Sequence, residues 1–159
     1  MQPGGVQPYI CINEESGGAM KAIAWYKDVF GATVRTAMAC GQDNKQIGHA
    51  ELDFGGSIIM LSDAFPGMGL KSPKELGGTP INLTVMYQAG TAQAVYENAI
   101  SKGATVAPGK EFKAQPWGWS SGGIQDPFGY EWTVGEDSEK LSNEQISERL
   151  KMVDVAGQF

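Results

Sequence analysis

The sequence predicts an α+β protein built from two copies of one β-α-β-β-β module, with a short helix near the C-terminal end. Three observations carry this. "GATV" stands at 31–34 and again at 103–106, each time after a helix-like segment. "FGGSIIM" at 54–60 registers against "FGYEWTV" at 128–134 at nearly the same spacing. A Gly- and Pro-rich stretch at 64–80, "AFPGMGLKSPKELGGTP", separates the two series and reads as a linker.

Module one covers 7–63. "YICIN" is an apolar, β-branched run and reads as a strand. "GAMKAIAWYKDVFGA" follows with a helical stripe of Met20, Ile23, Ala24, Val29 and Phe30, and Gly31 is its stop signal. "TVRTAMAC" is the next strand, and "GQDNKQ" a polar loop. "IGHAELDFGGSIIMLSD" then reads as a hairpin, because Gly55 and Gly56 can both take positive φ in a two-residue turn.

Module two covers 81–135 in the same order. "INLTVMY" is a strand, and "TAQAVYENAISKGA" a helix with Ala92, Val95, Tyr96, Ala99 and Ile100 on one side and Thr91 as N-cap. "TVAP" is a short strand, followed by a long loop, "KEFKAQPWGWSSG". "GIQDPFGYEWTV" closes the module as a second hairpin-like pair. Its turn, Asp126-Pro127-Phe128-Gly129, has type I chemistry. Alternation beyond the turn sends Tyr130, Trp132 and Val134 to one face and Glu131 and Thr133 to the other. Ser142 and Gln145 form a capping box, which predicts a helix over 142–152. The modules and this helix are read as one domain spanning 1–152.

Composition narrows the function classes. A chain of 159 residues that is 42% hydrophobic can bury a core and fold. A net charge of −6 without clustered Lys or Arg argues against nucleic acid as a partner. No apolar run approaches the roughly 20 residues of a membrane span. "MQPGGVQPY" has neither the basic region nor the apolar core of a secretory signal, so the expected location is cytoplasmic, with reduced thiols. Cys11 lies in an apolar strand and reads as a small buried hydrophobe, while Cys40 stands at a strand end.

The segments "WYKDVFGA", "HAEL" and "DPFG-x-x-W" in this arrangement resemble the vicinal oxygen chelate superfamily, which holds glyoxalase I, bleomycin-resistance proteins and extradiol dioxygenases. "GHAELDFGGSIIMLSD" and "GMGLKSPKELGGTPINL" are similar to its PhnB-like branch. The resemblance spans about 8–152. It implies a glyoxalase-like fold in which the modules pair and each curls into a half-barrel. It also implies a homodimer and, in metal-using members, His or Glu ligands on the first and last strand of each module. Such ligands leave a divalent ion with open positions for substrate oxygens.

Tested on this chain, one such position holds a typical ligand: Glu131. The repeat registers Glu131 against Ser57, and the first strands offer only Asn13 and Glu14, or Asn82 and Thr84. No metal is therefore expected. The alternative is a divalent ion at His49, the only histidine, with Glu51 on the same strand face and Glu131. His49 and Glu131 are also the candidate catalytic residues.

A second candidate site is aromatic. "QPWGWSSGG" sets Trp117 and Trp119 two apart, so that in an extended chain both rings face one way. Tryptophans on a Gly-rich loop are costly unless they cover a pocket, an interface or the core. The functional reading is a stacking lid, with Met60, Met86, Phe112 and Trp132 as neighbours. The expected ligand-binding set is Trp117, Trp119, Glu131, Ser57 and Met60. The sequence thus favours a metal-free binding protein for a small, partly aromatic molecule. A divalent-metal lyase or isomerase of the glyoxalase type is the alternative, and a dimeric scaffold without a ligand is the third reading.

Overall fold

Each predicted strand forms; the alternation of a half-buried sheet is plain at 82–87 and 131–134, whereas 33–40 is exposed or half-buried throughout and 121–124 is buried throughout. The computed structural model describes residues 5–153, so the first four residues of the N-terminal reading lie outside the described range. The chain is an α+β protein in which two units each hold one β-α-β-β-β module. Among the described residues the first unit holds 5–80 and 127–130, and the second holds 81–126 and 131–153.

In the first unit, β1 (Tyr9–Ile12) leads through a 3-10 turn (Glu14–Ser16) to α1 (Gly18–Phe30). β2 (Thr33–Cys40), β3 (Gln46–Asp53) and β4 (Ile58–Asp63) complete a sheet in the order β1-β4-β3-β2, with β1 parallel to β4. Ile10, Ile12, Ala50, Leu52, Ile59 and Leu61 are buried on one face. Gly55 and Gly56 take φ of 71° and 100° in the β3–β4 turn, as a primed hairpin turn demands. Gly31 ends α1 in the left-handed conformation, and its N–H bonds the last turn.

The buried face of α1 differs from the predicted stripe. It is Ala19, Ala22, Trp25, Tyr26, Val29 and Phe30, and Met20 and Ala24 are exposed. The large aromatic residues bury the most surface and set the rotation of the helix. Trp25 and Tyr26 pack edge-to-face against Phe128, at ring-centroid distances of 6.2 and 5.8 Å. Tyr130 closes the outer edge of β1. Its hydroxyl accepts from the Cys11 N–H at 2.9 Å and donates to the Cys11 carbonyl at 3.0 Å. The stretch read as a linker holds local structure of its own: a 3-10 turn (Pro66–Met68) and a one-turn helix, α2 (Pro73–Leu76), closed by a Ser72–Glu75 capping box.

The second unit repeats the plan with β5 (Asn82–Tyr87), α3 (Ala92–Ser101), β6 (Thr105–Val106), β7 (Lys113–Ala114), β8 (Trp119–Gln125) and β9 (Glu131–Asp137). The sheet order is β5-β9-β8-β6, and β7 also pairs with β8. Trp132 and Val134 are buried and Glu131 and Thr133 are not, as alternation predicts. On α3, Ala92, Tyr96 and Ala99 are buried, while Ile100 is exposed. α4 (Asn143–Lys151) starts at the predicted capping box on Ser142 and Gln145.

Two predicted details are corrected. Thr91 does not cap α3 with its side chain, whose hydroxyl donates to the Gln88 carbonyl at 2.6 Å. The cap is the Glu136 carboxylate on β9, which accepts from the N–H groups of Thr91 and Ala92 at 2.9 and 2.8 Å. Asp63 plays the same part in the first unit, accepting from Ala19 N–H at 2.8 Å and Ile47 N–H at 2.6 Å. The second correction is the register between modules. The β3–β4 loop is 54–57 and the β8–β9 loop is 126–130, one residue longer. A one-residue slip moves every side chain to the opposite face. Buried Ile59 and Leu61 therefore correspond to buried Trp132 and Val134. The counterpart of Glu131 is Ile58, not Ser57, which lies exposed in the turn and accepts from Phe54 N–H.

Candidate functional site

A cleft of about 720 Å³ opens on the second unit, within the roughly 300–1,000 Å³ of ligand pockets. One wall comes from "APGK", residues 107–110. Pro108 presets φ, Gly109 takes φ of 72°, and Lys110 N–H bonds the Ala107 carbonyl at 2.9 Å, which makes a type II turn. Both ends of the turn are fastened to Gly123 on β8. Ala107 N–H donates to the Gly123 carbonyl at 3.0 Å, and Gly123 N–H donates to the Lys110 carbonyl at 2.7 Å.

The absence of a side chain at Gly123 matters here. A Cβ at this position would stand 2.6 Å from Cδ of Lys110, so the bare backbone gives the lysine stem its track. The ammonium thereby comes within 3.4 Å of Glu131 Oε2. Both groups are partly solvated, so the pair adds little to stability and its importance is positional. The neighbouring Gly122 serves the opposite face, where a Cβ would meet the Tyr96 ring at 2.5 Å.

Asn82 on β5 lies beside Glu131 in parallel register and lines the same cleft. The Thr133 hydroxyl donates to its Oδ1 at 2.9 Å. The apolar lining is Pro108, Pro116, Trp117 and Val153. Among the lining side chains Lys110 and Lys113 balance Glu111 and Glu131, so the cleft carries no strong net field.

The predicted ligand-binding residues separate. Trp117 and Glu131 line the cleft. Trp119 belongs to β8 rather than to a loop, and Gly118 between the tryptophans has φ of 92°. The chain is therefore not extended there, and the two rings meet edge-on at 6.4 Å and 78° instead of facing one way. Ser57 and Met60 belong to the first unit and do not line this cleft. Of the other expected neighbours, Trp132 is a core residue whose indole N–H donates to Asp126 at 2.9 Å. Phe112 packs on Tyr96, and Met86 is exposed on β5.

His49 pairs with Glu51 inside the first unit, Nε2 to Oε1 at 3.6 Å, with Arg35 at 3.9 Å from Glu51 and the Tyr9 ring 5.9 Å from the imidazole. Among the described residues, no group of three His, Cys, Asp or Glu side chains is placed to hold a metal ion. Cys11 is buried, which pushes its thiol pKa up and removes it as a nucleophile. Sequence reasoning missed Lys110, Gly123 and the Asn82–Thr133 pair. The "PG" turn before Lys110 was a legible signal; the partner of that turn, on a strand beyond the long loop, was not.

The same fold occurs in solved structures. Protein PA1353 from Pseudomonas aeruginosa aligns with a TM-score of 0.66 at 21% identity, over 85% of this chain and all of that one. The PhnB protein from Bacillus cereus aligns at 0.61 and 13% identity, over 82% and 98%. The fosfomycin resistance protein FosX from Listeria monocytogenes, complexed with Mn(II) and sulfate, aligns at 0.63 and 12%, over 91% and 98%. The chain thus has the glyoxalase-like fold of these three proteins. It belongs to the family of two mycobacterial proteins, uncharacterized protein Rv0887c of Mycobacterium tuberculosis and uncharacterized protein Mb0911c of Mycobacterium bovis. Each is 34% identical over 144 residues, which is 89% of this chain and 79% and 88% of theirs. No family model matches the chain.

Proposed function

We propose that the chain is a binding protein for a small, partly aromatic organic molecule, held in the cleft of the second unit without a metal ion. The observation that supports this most is the cleft itself, whose lining combines Trp117 and two prolines with Asn82, Lys110, Glu131 and Thr133. A concave site in which a tryptophan and two prolines stand among several polar side chains offers a ring contact together with hydrogen-bonding groups that fix orientation. The fold is shared with a fosfomycin resistance protein that carries Mn(II), which motivates a second reading, a divalent-metal lyase or isomerase. The donor set does not fit it. Glu131 is engaged by a lysine, its module-one counterpart is Ile58, and His49 and Glu51 lie in the first unit, 3.6 Å apart and with no third carboxylate, cysteine or histidine placed to complete a metal site among the described residues. We derive no step through a metal.

The test is calorimetric titration of a flat aromatic probe, 1-naphthaleneacetamide, in chelator-treated protein. Saturable binding that is lost in Trp117→Ala is the expected result. Binding that appears only after a divalent ion is restored would favour the second reading.

A further inference from the structure

We infer that the cleft reads a planar amide-type edge, a carbonyl acceptor beside an N–H donor, as in a carboxamide, lactam or cyclic imide. This deepens the proposed function and rests on it. The inference comes from what two neighbouring side chains have left to offer. Asn82 and Glu131 are register partners on β5 and β9, and both line the cleft. Adjacent strands lie roughly 4.8 Å apart, so one small planar group can touch both side chains.

Each is held by a neighbour that uses up one of its two ends. The Thr133 hydroxyl donates to Asn82 Oδ1 at 2.9 Å, so the acceptor end of the amide is engaged and its NH₂ remains as a donor. Lys110 stands 3.4 Å from Glu131 Oε2, and among the described residues Oε1 has no hydrogen-bond partner. The free groups are thus one donor and one acceptor, side by side. A carboxylate ligand would satisfy Asn82 and Lys110 and repel Glu131. An amine would satisfy Glu131 and oppose Asn82 and Lys110. An amide matches both, with its flat body toward Trp117.

Three probes that share one ring and differ in the head group test this by calorimetry: 1-naphthaleneacetamide, 1-naphthaleneacetate and 1-naphthaleneethylamine. The amide should bind about tenfold tighter than either charged probe, the worth of about one net hydrogen bond to a partly solvated group. Asn82→Asp keeps the shape and replaces the donor with a second acceptor. It should abolish the amide preference and raise the relative affinity of the amine. Thr133→Val frees the Asn82 amide to rotate and should weaken the amide alone, while Trp117→Ala should weaken all three probes together. Equal affinities, or tightest binding of the acetate or the amine, would overturn the inference while the cleft remains the site. If no probe binds, or if Trp117→Ala leaves binding unchanged, the proposed function fails and takes the inference with it.

Discussion

A carboxylate closes the start of the helix in each module, Asp63 for α1 and Glu136 for α3. The N–H groups of the first helical turn have no intrahelical acceptor, and the helix dipole favours negative charge there. The N–H of Ala92 foremost, then those of Gly90 and Thr91, hold the Glu136 pKa below its ordinary value. With a folded pKa below the unfolded one, its stabilisation is complete above the unfolded value, about 4.3, and disappears as pH falls through the folded one. Glu136→Gln should therefore lower stability at neutral pH by about 0.5–1 kcal/mol and flatten the loss of stability on acidification. Urea unfolding across pH 2–7 reads both. Asp63→Asn should cost more, about 1–3 kcal/mol, because its two oxygens accept from two different backbone donors and an amide can serve only one. Equal effects of the two substitutions would contradict the bonding described for Asp63.

The adjacent glycines of β8 illustrate how an element separates packing from function. A methyl at Gly122 enters the space of the Tyr96 ring at 2.5 Å and meets Phe112 Cα at 3.0 Å. Gly122→Ala should destabilise the fold by about 1–3 kcal/mol, an overpacking cost. A methyl at Gly123 meets Lys110 along its stem, Cδ at 2.6 Å and the backbone-anchored Cβ at 2.8 Å. Gly123→Ala should also lower the melting temperature, because Lys110 Cβ is anchored in a turn bonded to Gly123, and should in addition displace the ammonium from Glu131, with a measurable change in probe affinity. Thermal unfolding and calorimetry of the two variants read both effects, and a change in probe affinity confined to Gly122→Ala would place the faces of β8 wrongly. Strands such as β5 and β9 were legible in the sequence because alternation is a local signal, and so was the capping box of α4. The register of Glu131 was not, because "FGGSIIM" and "FGYEWTV" match while the turns before the strands differ by one residue. The cap of α3 was hidden for a related reason. Its carboxylate lies 45 positions beyond Thr91 in the chain and meets the helix only through the sheet.

For the whole molecule, two copies of one module give two sheets of the same plan with different chemistry on their open faces. The first carries His49, Glu51, Met60 and Tyr9, and the second carries Glu131, Thr133 and Asn82. β2, at the edge of the first sheet, is largely exposed, with Val34 and Met38 open to solvent. Such edges are covered in stable proteins, which supports the homodimer that we propose. Sedimentation equilibrium should give a mass twice 17.0 kDa at micromolar concentration, and a constant monomer mass would remove the proposal. No helix among the described residues is long and apolar enough to cross a membrane. The central claim, an organic ligand taken by the cleft without a metal, is tested most directly by elemental analysis. The wild type and Glu131→Gln would be loaded with Mn(II) and Zn(II), desalted and assayed for metal content. The account predicts far less than one ion per chain in both proteins. A stoichiometric ion in the wild type that disappears in Glu131→Gln would contradict it.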